Sequence, residues 1–158
     1  MLWRLTRSEF DRQKGDGNRR ALKVIVESGV APGLLGYSGG RPVAWCAVAP
    51  RVDYPALERS RILARVDDEP VWSATCLFIA RSFRRQGLTV RMLAAAVAYA
   101  GQRGARIVEG YPVEPRSADM PAAFAWTGTA SAFRQAGFTE ALRRSPTRPI
   151  MRFVVDQT

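Results

Sequence analysis

Two short segments carry the residue types that could do chemistry. The first is Arg84-Arg85-Gln86-Gly87-Leu88-Thr89, at the elbow between a β-rich run, Val71–Ala80, and an amphipathic run, Leu88–Gly101. A glycine at a helix start lets backbone approach an anion closely, and the free N–H groups and helix dipole there favour phosphate. Arg84 and Arg85 add charge at the same place; the same pattern also describes a solvated arginine-rich turn. The second segment is Ile107-Val108-Glu109-Gly110-Tyr111. A carboxylate inside a strand is costly unless it is partnered or used, and strand alternation puts Glu109 and Tyr111 on one face. Glu109 is then either a base for an ammonium acceptor, with Tyr111 as the acid, or an ion-pair partner for arginine beside a packed tyrosine.

Composition removes several alternatives. The chain has no histidine, which excludes Ser-His-Asp and Cys-His nucleophilic sites and the common zinc ligand sets. Neither the Walker phosphate loop nor the Gly-x-Gly-x-x-Gly dinucleotide pattern occurs. Cys46 and Cys76 lack Cys-x-x-Cys spacing and read as reduced structural thiols. The net charge of +10 points to anionic partners. However, all the basic residues except Lys14 and Lys23 are arginines dispersed from Arg4 to Arg152, so a nucleic-acid-binding domain is the weaker reading. No signal-peptide pattern opens the chain, and its longest apolar run, Met92–Ala100, is too short to span a bilayer. The expectation is a cytoplasmic location without membrane partners.

The elements that must position these segments read in order along 158 residues, enough for one domain, taken as 1–158. Leu2–Leu5 reads as a short strand, and Thr6-x-x-Glu9 opens a helix to Gln13. Ala21, Leu22, Ile25 and Val26 mark a second helix. Gly33–Tyr37 and Pro42–Ala49 flank a hairpin turn, Ser38-Gly39-Gly40-Arg41. Tyr54–Arg59 offers one helical turn, and Val71–Ala80 is a strong strand. Leu88–Ala100 is a helix, Arg106–Tyr111 a strand, Pro112–Pro121 a loop and Phe124–Ala136 a helix. Gly137–Arg144 and Ile150–Val155 are the last strands. The class is α/β, with a mixed sheet and helices on both faces.

The run Leu77–Thr89 resembles the acetyl-CoA motif of GNAT-type N-acetyltransferases, in which a strand leads through Arg/Gln-x-x-Gly-x-Gly/Ala into a helix. Arg84, Gly87 and Thr89 fall on its defining positions, and Arg134-Gln-Ala-Gly-Phe138 resembles the family's helix-to-strand Gly-Phe signature. The resemblance implies a single-domain, mostly antiparallel central sheet with a splay between its two central strands. It implies acetyl-CoA as co-substrate, with the pyrophosphate on the amides of Arg85, Gln86, Gly87, Leu88, Thr89 and Val90. The pantetheine arm would lie along Phe78 and Ile79, and an N–H near Ile79 would face the oxyanion. Acetyl would pass directly to a primary amine, on a small molecule or a peptide, with no metal.

Two departures from the family pattern stand out. Thr89 replaces a small residue, and Phe133 stands where many relatives carry the tyrosine that protonates the leaving thiolate. Trp126 and Thr129 also replace the common Asn and Ala. Trp45, Tyr54 and Trp72 are candidates to shape an acceptor pocket, Asp53 and Glu114 to dock a cationic acceptor, and Phe124–Gly128 to form its wall. A non-catalytic acyl-CoA-binding module on the same fold is the alternative that Phe133 suggests. The Ile150–Val155 strand is a candidate for pairing across a homodimer.

Overall fold

The computed structural model describes residues 1–115 and 125–156. Its frame is a six-stranded sheet in the order β1-β2-β3-β4-β6-β5, made of β1 (Leu34–Ser38), β2 (Arg41–Pro50), β3 (Trp72–Ile79), β4 (Ile107–Gly110), β5 (Thr139–Arg143) and β6 (Pro149–Val154). Every neighbouring pair is antiparallel except β3–β4. The Gly39-Gly40 turn joins β1 to β2, both glycines with positive φ, as a tight hairpin requires.

Helix α4 (Leu88–Gly101) crosses over between the parallel strands and lies on β1, β2 and β3. It buries Met92, Leu93, Ala96, Val97 and Ala100, the apolar stripe of the sequence, into a core that also takes Phe133 from α5 (Ala130–Gln135). The opposite face packs Tyr54, Leu57, Leu63 and Tyr111 into a smaller core beneath α3 (Pro55–Glu58). Helices α1 (Arg7–Arg12) and α2 (Asp16–Glu27) precede the sheet, and the Thr6/Glu9 capping box closes α1. No helix among the described residues is long and apolar enough to cross a membrane.

Three expectations change. Leu2–Leu5 is a turn instead of a strand, because Arg4 and Leu5 both donate to the Met1 carbonyl, at 2.9 and 3.2 Å. The helix expected over Phe124–Ala136 begins only at Ala130. Gly128 is left-handed at φ +82°, and Thr129 caps the helix by accepting from the Ala132 N–H at 3.3 Å. Phe124 and residues 116–121 of the Pro112–Pro121 loop lie outside the described residues. The last strand, β6, is held between β4 and β5, so both its hydrogen-bonding edges are used and it offers no edge to a second copy.

The β3–β4 pairing is short: Trp72, Ser73 and Ala74 face Val108, Glu109 and Gly110, and β3 then continues with β2 on one side and no described strand on the other. Thr75 is an extra residue opposite β2, a bulge that bends β3 as it leaves β4. The Phe133 ring fills the crotch of the divergence. A Cβ on Gly110 would stand 2.1 Å from its Cε1, and one on Gly128 2.8 Å from its Cε2. Glycine is therefore required on both sides of that ring.

Candidate active site

Beyond the divergence, Leu77 and Ile79 turn their backbone toward the side that β4 has vacated, since Ala80 already donates to Val43 across the β2 edge at 2.8 Å. The Leu77 N–H donates to the Trp126 carbonyl at 2.7 Å, so residues 125–129 follow β3 where β4 does not. A cleft of about 430 Å³ remains, with Leu77, Phe78 and Ile79 on one wall, Thr89 at its base and Trp126 and Ala132 opposite. A smaller hollow of about 200 Å³ adjoins it at the start of α4, sharing Ile79, Arg84, Thr89 and Ala132.

That helix start is open. Gly87, the N-cap residue, is left-handed at φ +74°, has no side-chain cap and nothing within 4 Å of where a Cβ would be. The first-turn N–H groups therefore carry the partial positive charge of the helix toward open space. Arg85, at φ +59°, is the sole non-glycine residue in that region among those described, a strained conformation held beside the same opening.

Of the residues expected to hold the cofactor, Phe78, Ile79, Arg84, Arg85, Gly87, Leu88, Thr89 and Val90 border these two spaces. Gln86 does not. Its side chain donates to the Ser82 carbonyl at 3.0 Å and borders the groove between β1 and α4. Arg84 folds back to donate from Nε to the Ile79 carbonyl at 3.0 Å, tying the loop to the end of β3.

The face opposite α4 holds a separate cavity of about 350 Å³, and Trp126 borders both it and the cleft. Trp45, Tyr54, Thr75 and Cys76 line it, with Trp3 and Arg4 brought in by the N-terminal turn. Trp3 packs on Trp126 with ring centroids 5.8 Å apart, and the Arg4 guanidinium lies 4.7 Å from the Tyr54 ring centre. Trp72 lies elsewhere, edge-on to Tyr99 on the α4 side. Asp53 pairs with Arg4 at 3.5 Å, while Glu114 pairs with Arg134 and Arg143 at 2.6 and 2.5 Å, so neither carboxylate is free. Trp3 and Arg4 carried no site signal of their own in the sequence, and only the turn brings them here; Trp126 lies within the Phe124–Gly128 segment expected to form an acceptor wall, and it does line the cavity.

Glu109 and Tyr111 do meet on one face, with Tyr111 donating to Glu109 Oε1 at 2.8 Å. Their setting differs from what a proton carrier needs. Glu109 is 1% exposed; Oε1 also accepts from Arg51 Nη1 at 3.1 Å and Oε2 from Arg152 Nε at 2.8 Å. The Tyr111 hydroxyl accepts from Arg51 at 2.6 Å and lies 2.8 Å from Ser73 Oγ, and burial together with the adjacent Glu109 charge pushes its phenol up. Neither residue borders the cleft or the aromatic cavity. The two thiols are poor nucleophiles: burial raises Cys76 and pushes Cys46 up to about 12. Phe133 is fully buried in the core, with its ring edge against Phe138.

Residues 2–120 match the acetyltransferase (GNAT) family. The chain belongs to that family. The fold agrees with solved GNAT structures. It is similar to a GNAT-family acetyltransferase from Streptococcus agalactiae (TM-score 0.55, 14% identity, 94% of this chain and 79% of that one). It is also similar to YncA from Salmonella typhimurium, solved with its cofactor acetyl-CoA (TM-score 0.55, 15% identity, 94% and 78% coverage). A third is the ribosomal-protein-S18-alanine N-acetyltransferase of Escherichia coli (TM-score 0.51, 16% identity, 86% and 77% coverage). Among curated proteins, none matches the sequence significantly.

Removing the Glu109 carboxylate leaves two guanidiniums facing each other in the interior. Glu109→Ala is expected to cost about 3–5 kcal/mol in urea unfolding. A loss below about 1 kcal/mol would show that the ion pairs do not hold this region together.

Proposed function

We propose that this GNAT protein is an acetyl-CoA-dependent N-acetyltransferase that passes acetyl directly to a primary amine. The observation that carries the reading is the open, Gly87-capped start of α4, set beside the part of β3 that β4 has left. Anion-binding N–H groups and an unpaired strand edge occur there within one continuous space.

The residues fit the cofactor's chemistry. The N–H groups of Leu88, Thr89 and Val90, with Arg85 and Arg84 beside them, would hold the pyrophosphate, and the Thr89 hydroxyl could donate to it. The pantetheine arm would lie along β3 past Phe78 and Ile79, where the Leu77 and Ile79 peptide groups, not those of Phe78, face it as a strand faces a neighbour. Acetyl-CoA bound in this way supplies a thioester carbonyl as the acetyl donor. The Ile79 N–H, on the side that β4 has vacated and next to a Leu77 N–H already taken by Trp126, would face that carbonyl oxygen. The amine would approach from the aromatic cavity, across Trp126 and the Cys76–Leu77 step of β3. Its proton leaves through water, and Glu109 and Tyr111 act as positioning residues that fix where β3 and β4 part.

A second reading, acyl-CoA binding without transfer, is favoured by one observation: no carboxylate among the described residues borders both the cleft and the cavity. Calorimetry with CoA, beside thiol release over an amine panel, separates the two. Transfer predicts both signals; binding alone predicts only the first.

In that calorimetry, Gly87→Val is expected to weaken CoA at least about tenfold, because a β-branched residue resists φ +74°. Equal affinity in the variant, or no CoA binding by the natural chain, contradicts the assignment. Glu109→Gln is expected to keep the shape of the pH–rate profile while lowering the unfolding midpoint. Loss of the profile's acid limb would instead make Glu109 the base.

A further inference from the structure

The aromatic cavity is more selective than a general amine site. Among the described residues Arg4 is the one charged side chain that lines it, and no carboxylate does. Its walls are Trp3, Trp45, Tyr54 and Trp126, and its volume of about 350 Å³ lies at the small end of ligand pockets. A polyamine or aminoglycoside would meet a guanidinium there, and the Asp53 carboxylate beside it is already engaged with Arg4 at 3.5 Å.

Three polar groups on this wall are buried and close no hydrogen bond: Trp3 Nε1, Arg4 Nη2 and the Tyr54 hydroxyl. Arg4 spends Nη1 on Asp53 at 3.5 Å, which leaves Nη2 over. Tyr54 is 2% exposed, and burial pushes its phenol up to about 12 against the opposing pull of Arg4 and Thr75 beside its hydroxyl. Indole and guanidinium nitrogens only donate, so what they lack is an acceptor. Buried donors without acceptors are costly, and a ligand oxygen that supplies them is strongly selected over one that does not.

We propose that the acceptor is an α-amino acid with an apolar or aromatic side chain. Its carboxylate would sit on Arg4 Nη2 and Trp3 Nε1, its side chain among the indole rings, and its amine toward Cys76–Leu77. This rests on the reading of the chain as an N-acetyltransferase. The amine forms a C–N bond to the acetyl carbon as the C–S bond breaks; it gives up one proton to water, and the released sulfur takes up one.

The probes are L-phenylalanine, phenethylamine, which lacks the carboxylate, and spermidine, a polycation. Thiol release is expected to be at least tenfold more efficient, as kcat/KM, with L-phenylalanine than with either of the others. Arg4→Gln is expected to bring phenylalanine down to phenethylamine while leaving CoA affinity unchanged. Transfer to phenethylamine or spermidine at equal or greater efficiency overturns the acceptor class and leaves the enzyme reading standing.

Tryptophan fluorescence gives a readout independent of transfer, because three of the four tryptophans, Trp3, Trp45 and Trp126, line the cavity. Phenylalanine-dependent quenching that Arg4→Gln abolishes, with no thiol release from any amine, supports the cavity assignment and overturns the transfer reading. Absence of both signals overturns the two together.

Discussion

The divergence of β3 from β4 is the constraint on which the rest of the molecule depends. Parallel strands would ordinarily stay paired for their shared length, but here contact stops after Ala74 and Gly110. The causes are local and steric. Thr75 bulges β3 away, the Phe133 ring wedges against Gly110 and Gly128, and Trp126 satisfies the Leu77 N–H that β4 has released. An unpaired interior strand edge is expensive, and in this protein it borders an open helix start. That combination leaves a strand-like ligand with a phosphate terminus as the natural complement.

Beneath the divergence, electrostatics hold what sterics open. Arg51 and Arg152 converge on Glu109, and each reaches further, Arg51 to Glu58 and the Leu63 carbonyl, Arg152 to Asp67. The 51–69 segment is thereby fastened to β4 and β6. Buried ion pairs contribute little net stability compared with apolar packing, but they specify one arrangement when every partner is present. The basic excess looks different in this light. Arg4, Arg51, Arg134, Arg143 and Arg152 are paired within the protein, while Arg84 and Arg85 stand at the open helix start.

Much of this was legible in the sequence because it is local. The Thr6/Glu9 box, the Gly39-Gly40 turn, the apolar stripe of α4 and the Arg84–Thr89 elbow each express a short-range rule, and each stands where expected. The rest was not, because it depends on distant partners. An arginine ion pair was one of the two readings of Glu109, but which arginines supply it was not legible, since Arg51 and Arg152 each lie more than forty residues away. Trp3 and Arg4 lie in a segment that reads as a short strand, while turn bonds to Met1 decide its shape. Gly128 and the Thr129 cap are the local features that start helix α5 late, and reading Phe124–Ala136 as one helix passes over both.

The most direct test of the account is an amide NMR titration of the protein with CoA. The largest shifts are expected on Ile79 and on Gly87 through Val90, with the Leu77 amide responding as Trp126 adjusts. Shifts confined to the groove between β1 and α4, around Leu35, Tyr37 and Tyr99, would contradict it and place the cofactor on the other side of the helix.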